Sequence, residues 1–246
     1  MEQLVGKFRG YRSRKPMIPP LLLDSTYSDF TIKCRRHQFP VHKFLFYSRS
    51  PVIRKALTGE FRVGHTSILI ADIPVQSIDL IQEAQENVFA LDHFKSDVVA
   101  AMICWVYTGE YSIPYAEDDE GCFEDEYYQI ETRQHAYFHA QMAVLADFLD
   151  MPDLIEDACW ELFHKLNDSF ADIIHCLGPY VRYCFENGPK ALRERLVDIV
   201  HENLELLVER EEFKAVDVPE FHTLLINHIY YSDIASKQSL TRTTIP

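Results

Sequence analysis

The sequence predicts an α+β domain followed by an all-helical extension. Residues 30–34 alternate apolar and polar side chains, as half-buried strands do, and residues 38–41 return as the partner strand of a hairpin that turns at Arg36-His37. Most of the chain after this hairpin carries apolar residues at three- and four-residue spacing, which is typical of helices. A few strands at the front and many helices behind them favour the α+β class.

The helix boundaries follow from local signals. Ser50 precedes Pro51, which places a capping residue before a proline at the first helical position, and this helix is predicted to run to Thr58. Further helices are predicted from a cap at Ser96 to Gly109, from about Gln134 to Leu149, from Pro152 onward, and from Leu192 to about Arg210.

Charge is the strongest compositional feature. The 246 residues carry a net charge of −14, which disfavours a direct nucleic-acid partner because phosphate backbones are repelled. Residues 117–131 hold eight acidic and no basic side chains, and residues 1–15 hold five basic side chains against one acidic. We interpret these as a solvated loop and a disordered basic tail over residues 1–20. In the alternative interpretation, the tail docks on an acidic partner or on this acidic loop.

Cysteine usage and hydropathy predict the compartment. The six cysteines form no C-x-x-C pair, and no segment resembles a signal peptide or an apolar run of 18 residues. We therefore expect an intracellular protein, cytoplasmic or nuclear, with no membrane partner.

Signatures of catalysis are absent from the sequence. No G-x-G phosphate loop and no G-x-S-x-G elbow occurs. His135 and His139 lie four residues apart on a predicted helix and could share a metal, but the H-E-x-x-H general base is missing. The ordinary interpretation is a pair on a wet helix face. We expect no catalytic residue, no metal and no cofactor.

Five segments in order resemble the BTB/POZ domain, a protein–protein interaction module. They are S-D-F-T-I (28–32), F-P-V-H-K (39–43), S-R-S-P-V-I-R-K-A-L-T-G-E-F (48–61), V-Y-T-G-E-Y (106–111) and L-A-D-F-L-D-M-P-D-L (145–154). The resemblance covers residues 21–166 and implies a BTB/POZ fold, a small mixed sheet flanked by a cluster of helices. Residues 167–246 form the extension, which over 167–232 is similar to the helical tails that follow BTB domains in many fungal proteins.

The resemblance also implies protein partners and assigns residues to roles. BTB domains commonly form homodimers through apolar helix faces near the N-terminal end, so the expected function is a homodimerising scaffold without catalysis. The candidate dimer residues are Leu21, Leu22, Leu23, Phe44, Leu45 and Tyr47. Asp29 and His42 belong to the family's central pattern and are expected to form a structural polar pair.

The alternative function is a substrate adaptor for a cullin-based ubiquitin ligase. Family members of that kind carry an apolar-x-Glu element, which here would join Phe61 and Arg62 to Glu83. The family pattern is interrupted by insertions at about residues 62–82 and 115–131, and the first of these splits the element. Residues 63–82 are either a surface loop or an in-frame intron that the mature protein lacks, and transcript sequencing across these codons distinguishes the two.

Overall fold

The computed structural model describes residues 25–58, 87–113, 124–168, 170 and 174–242. Contacts group the chain into two units. The first comprises Met1–Asp119 with Leu145–Leu154, and the second comprises Glu120–Val144 with Ile155–Pro246. The predicted insertion at residues 62–82 and the basic tail lie outside the described residues.

The first unit is organised around a three-stranded mixed sheet. Strand β1 (Phe30–Cys34) pairs antiparallel with β2 (His37–Val41) and parallel with β3 (Val88–Ala90), which gives the order β2-β1-β3. The predicted alternation is observed, because Phe30, Ile32 and Cys34 are buried while the residues between them are half-buried. The hairpin turn lies one residue earlier than expected, at Arg35-Arg36, and Arg35 takes the left-handed conformation with φ 54°.

Three helices of the first unit accompany this sheet. They are α1 (Lys43–Arg49), α2 (Pro51–Thr58) and α3 (Ser96–Thr108). The N-cap position of α3 is Lys95, one residue before the expected Ser96, and its side chain makes no capping bond. The helix ends at Gly109 as predicted, with φ 77°. A left-handed residue at this position is what glycine provides without strain. The α+β prediction is confirmed for this unit.

Ser50 joins α2 to a distant part of the first unit. Its hydroxyl accepts a hydrogen bond from the backbone N–H of Ile53 at 3.1 Å and donates one to the carbonyl oxygen of Leu149 at 2.6 Å. The first bond is the predicted N-terminal cap of α2. The second satisfies a carbonyl 99 residues away, and the Ser50 side chain is fully buried.

Replacing Ser50 with alanine is therefore expected to lower the free energy of unfolding by about 2–3 kcal/mol, through the lost cap and a buried carbonyl left without its donor. Urea denaturation measures this change. Ser48→Ala is the matched control, because the Ser48 hydroxyl donates only to the Leu45 carbonyl and is exposed. A loss for Ser50→Ala no larger than that of the control would contradict the structural role.

The second unit is helical over its described residues. Helix α4 (Glu124–Phe148) supplies its residues up to Val144 and α5 (Pro152–Asp168) its residues from Ile155. The remaining helices are α6 (Leu177–Asn187), α7 (Lys190–Glu202), α8 (Leu204–Leu207), α9 (Glu211–Lys214) and α10 (Pro219–Arg242). No helix within the described ranges is long and apolar enough to cross a bilayer.

Two helix predictions are corrected here. Helix α4 begins about ten residues before Gln134, so part of the acidic segment is helical and not loop. The single helix predicted from Leu192 to about Arg210 is instead α7 and α8, which are separated at Asn203. The Asn203 side chain donates to the Ile199 carbonyl at 2.9 Å, which satisfies an acceptor at the end of α7.

Candidate interaction surface

Helix α1 has one face in the core and one face in solvent. Phe46 is fully buried, and its ring packs edge-on against Phe30 at 6.1 Å and Tyr107 at 6.4 Å between centroids. Phe44 lies two residues earlier, roughly 200° around the helix, and 64% of its surface is exposed. Leu45 and Tyr47 are half-buried at the margins. The core contacts of Phe46 therefore hold Phe44 outward on a fixed helix.

The carboxylate of Asp29 lies at the N-terminus of α1. It accepts a hydrogen bond from the backbone N–H of Lys43 at 2.8 Å. A negative charge at this end of a helix is favourable because the first N–H groups have no partner within the helix. The Asp29 charge also contributes, after burial, to a raised pKa of Tyr47. Asp29 thus orients the helix that presents the candidate dimer residues.

His42 bonds a residue from another helix. The hydroxyl oxygen of Tyr107 on α3 accepts the backbone N–H of His42 at 3.1 Å and lies 2.6 Å from the imidazole Nδ1. Burial raises the pKa of Tyr107 to about 12, and which atom donates in its contact with Nδ1 depends on the tautomer of His42. Asp29 and His42 thus flank the start of α1, but the structure gives them different partners, Lys43 and Tyr107.

Tyr27 is an exposed ring that the sequence interpretation did not single out. It is 76% exposed and lies two residues before Asp29, whose bond to Lys43 brings this segment beside the first turn of α1. We define the α1 surface as Tyr27, Phe44, Leu45 and Tyr47. The other candidate dimer residues, Leu21, Leu22 and Leu23, lie outside the described residues. A lone tyrosine at the end of a three-residue 3-10 helix carries no pattern that could have identified it.

A shallow cleft lies elsewhere in the first unit. Its volume is about 250 Å³, and buried Trp105 and Met151 contribute to its lining. The Arg49 guanidinium lies 4.9 Å above the Trp105 ring and 3.8 Å from the Asp153 carboxylate. This volume is below the range typical of small-molecule sites, so the cleft does not indicate a substrate pocket.

The histidine pair of the sequence interpretation is not a wet helix face. His139 is buried, and burial, with smaller contributions from His135 and Lys165, lowers its pKa to about 3. Among the described residues, no group of three or more His, Cys, Asp or Glu is arranged to hold a metal ion. The cullin-contact candidates Phe61, Arg62 and Glu83 lie outside the described residues.

The first unit is an α+β domain with a mixed sheet, clustered helices and an exposed aromatic ring on α1. Comparison with known families identifies this domain as a protein-interaction module. Residues 20–141 match the family model of the BTB/POZ domain, and this part of the chain is therefore a BTB/POZ domain. A search of the curated proteins finds no match.

Proposed function

We propose that this BTB/POZ protein is a non-catalytic scaffold that forms a homodimer through the α1 surface. The observation that carries the proposal is the outward position of Phe44, which is large, apolar and mostly exposed while Phe46 anchors the same helix. A second copy presents the same surface about a two-fold axis, so the ring of one chain meets the apolar side chains of the other. Exposed aromatic rings are the residues most often found at the centre of such interfaces.

The oligomeric state of the purified protein tests this proposal. We expect sedimentation equilibrium to give twice the chain mass of 28.7 kDa. Phe44→Glu is expected to weaken dimerisation at least ~10-fold, since it places a charge at the centre of an apolar contact. Leu206→Glu is the control, because Leu206 is similarly exposed, at 58%, but belongs to the second unit.

Two results would contradict a homodimer that forms through the α1 surface. One is a wild-type protein that sediments as a monomer throughout the micromolar range. The other is a dimer that Phe44→Glu and Leu206→Glu weaken to the same extent, which would move the interface away from α1. Circular dichroism of each variant establishes that the substituted chains are folded.

The cullin-linked adaptor is the alternative role, and it depends on Phe61, Arg62 and Glu83. Affinity capture of the tagged full chain from its native cells separates the two roles. The scaffold role predicts that the chain retains itself or other proteins, and the adaptor role predicts a stoichiometric cullin. In either role we propose a cytoplasmic or nuclear location.

A further inference from the structure

The solvent face of α5 carries an exposed tryptophan. Trp160 is 54% exposed, whereas Cys159 and Leu162 beside it in the sequence are buried. Its indole packs against the imidazole of His164, one turn later, with 3.9 Å between centroids. The indole is thus supported from its own helix while more than half of its surface remains open to solvent.

Three acidic residues lie close to Trp160 in the sequence of α5. Glu156 and Asp157 lie one turn before Trp160, Glu161 follows it, and all three are exposed. The pKa of Glu161 is raised by partial burial and by the Asp157 carboxylate, with His164 acting in the opposite direction. Asp157 and Glu161 lie four residues apart on α5, and two like charges at this spacing destabilise a helix slightly. A cation placed between the two carboxylates would relieve this repulsion. In the part of the chain that the structure describes, the ion pairs of lysine and arginine do not include Glu156 or Glu161.

We propose that the α5 face, defined as Glu156, Asp157, Trp160 and Glu161, is a docking surface for a basic peptide segment of a partner protein. An arginine or lysine of that segment lies over the indole, where the negative face of the ring attracts a cation. The surrounding carboxylates pair with the same cation and with its basic neighbours. The surface is additional to the homodimer contact, since it uses another helix in the other unit.

Charge complementarity selects this class of partner over others. An apolar partner would strip water from three carboxylates without replacing their hydrogen bonds, which is unfavourable. A nucleic acid would be repelled by the same carboxylates and by the net charge of −14. That net charge also attracts a basic segment at a distance, so association is faster at low salt.

Titration of a short arginine peptide into the full-length protein tests the surface. The probe is an acetylated and amidated (Gly-Arg)₄ peptide, and the matched peptide carries the uncharged isostere citrulline in place of arginine. We expect the arginine peptide to change the fluorescence of Trp160, and the citrulline peptide to have no effect. The second tryptophan, Trp105, is buried in the first unit, and the Trp160→Ala variant shows how much of the change comes from it. Binding should weaken at least ~10-fold between 50 mM and 500 mM salt, because exposed charges are screened.

Variants separate the α5 face from general attraction to an acidic protein. Calorimetric titration is expected to show at least ~5-fold weaker binding for Trp160→Ala, and a similar loss for the pair Glu156→Gln with Glu161→Gln. Tyr230→Ala and the pair Glu205→Gln with Glu209→Gln are the controls, because they remove an exposed ring and two exposed carboxylates elsewhere. Equal losses in the test and control variants, or equal binding of the two peptides, would overturn the proposal.

Discussion

Phe46→Ala is expected to lower the free energy of unfolding of the first unit by about 3–5 kcal/mol. The ring is fully buried, and it contacts Phe30 on the sheet and Tyr107 on α3. Alanine removes the ring and leaves a cavity where these elements meet α1. Because domains of this size typically have an unfolding free energy of about 5–15 kcal/mol, the variant should still be folded, but with little remaining stability.

Urea denaturation followed by tryptophan fluorescence measures this loss in the first unit alone. A Trp160→Phe background leaves Trp105 as the single tryptophan, and Trp105 is buried in the first unit. All variants are compared at a protein concentration low enough for the chain to be monomeric, since dimerisation would add to the apparent stability.

Phe44→Ala is the matched control for this prediction, because it removes the same ring from the same helix on the exposed side. Its expected loss is below about 0.5 kcal/mol in the isolated chain. Equal losses for Phe44→Ala and Phe46→Ala would show that the two faces of α1 are not assigned correctly. A small loss for both would mean that α1 is not anchored in the core.

The elements that the sequence predicted well are those fixed by local chemistry. The alternation of β1, the serine cap before Pro51 and the glycine after α3 each require only neighbouring residues, and each is confirmed. The start of α4 was wrong for a physical reason. An acidic run indicates a solvated loop, yet acidic side chains are also favourable in the first turns of a helix, and charge patterning alone does not separate the two.

The candidate surface could be predicted only in part, because its geometry depends on distant contacts. Phe44 and Phe46 are both phenylalanines of α1, so the sequence alone does not say which ring is buried. The contacts of Phe46 with β1 and α3 determine which ring faces outward. The partner of His42 is 65 residues away on another helix. Only part of the role of Ser50 could be predicted, because its capping bond is local but its bond to the Leu149 carbonyl spans 99 residues. Homodimerisation itself stays a prediction.

Burial of His139 makes the stability of the protein depend on pH. The pKa of this imidazole falls from its ordinary value near 6.5 to about 3, chiefly because burial disfavours the charged form. In the unfolded chain the same imidazole regains its ordinary pKa. Between these two values the unfolded state binds more protons than the folded state, so stability rises with pH. The contribution is complete above about pH 6.5 and is lost progressively as the pH falls toward 3.

We expect His139 to account for about 2 kcal/mol of lost unfolding free energy between pH 8 and pH 5, at a limiting slope of about 1.4 kcal/mol per pH unit. The variant His139→Gln keeps a polar side chain that cannot titrate, and its unfolding free energy should fall by about 2 kcal/mol less over the same interval. Urea denaturation at several pH values, followed by far-ultraviolet circular dichroism, measures both curves.

The comparison concerns slopes, so it holds even if His139→Gln is less stable at every pH. His93→Gln is the control, because it makes the same substitution at an exposed histidine. Parallel curves for the wild type and His139→Gln would show that His139 is accessible to protons in the folded state. A flatter curve for His139→Gln alone would establish that protonation of the buried His139 imidazole on α4 contributes to the acid destabilisation of this chain.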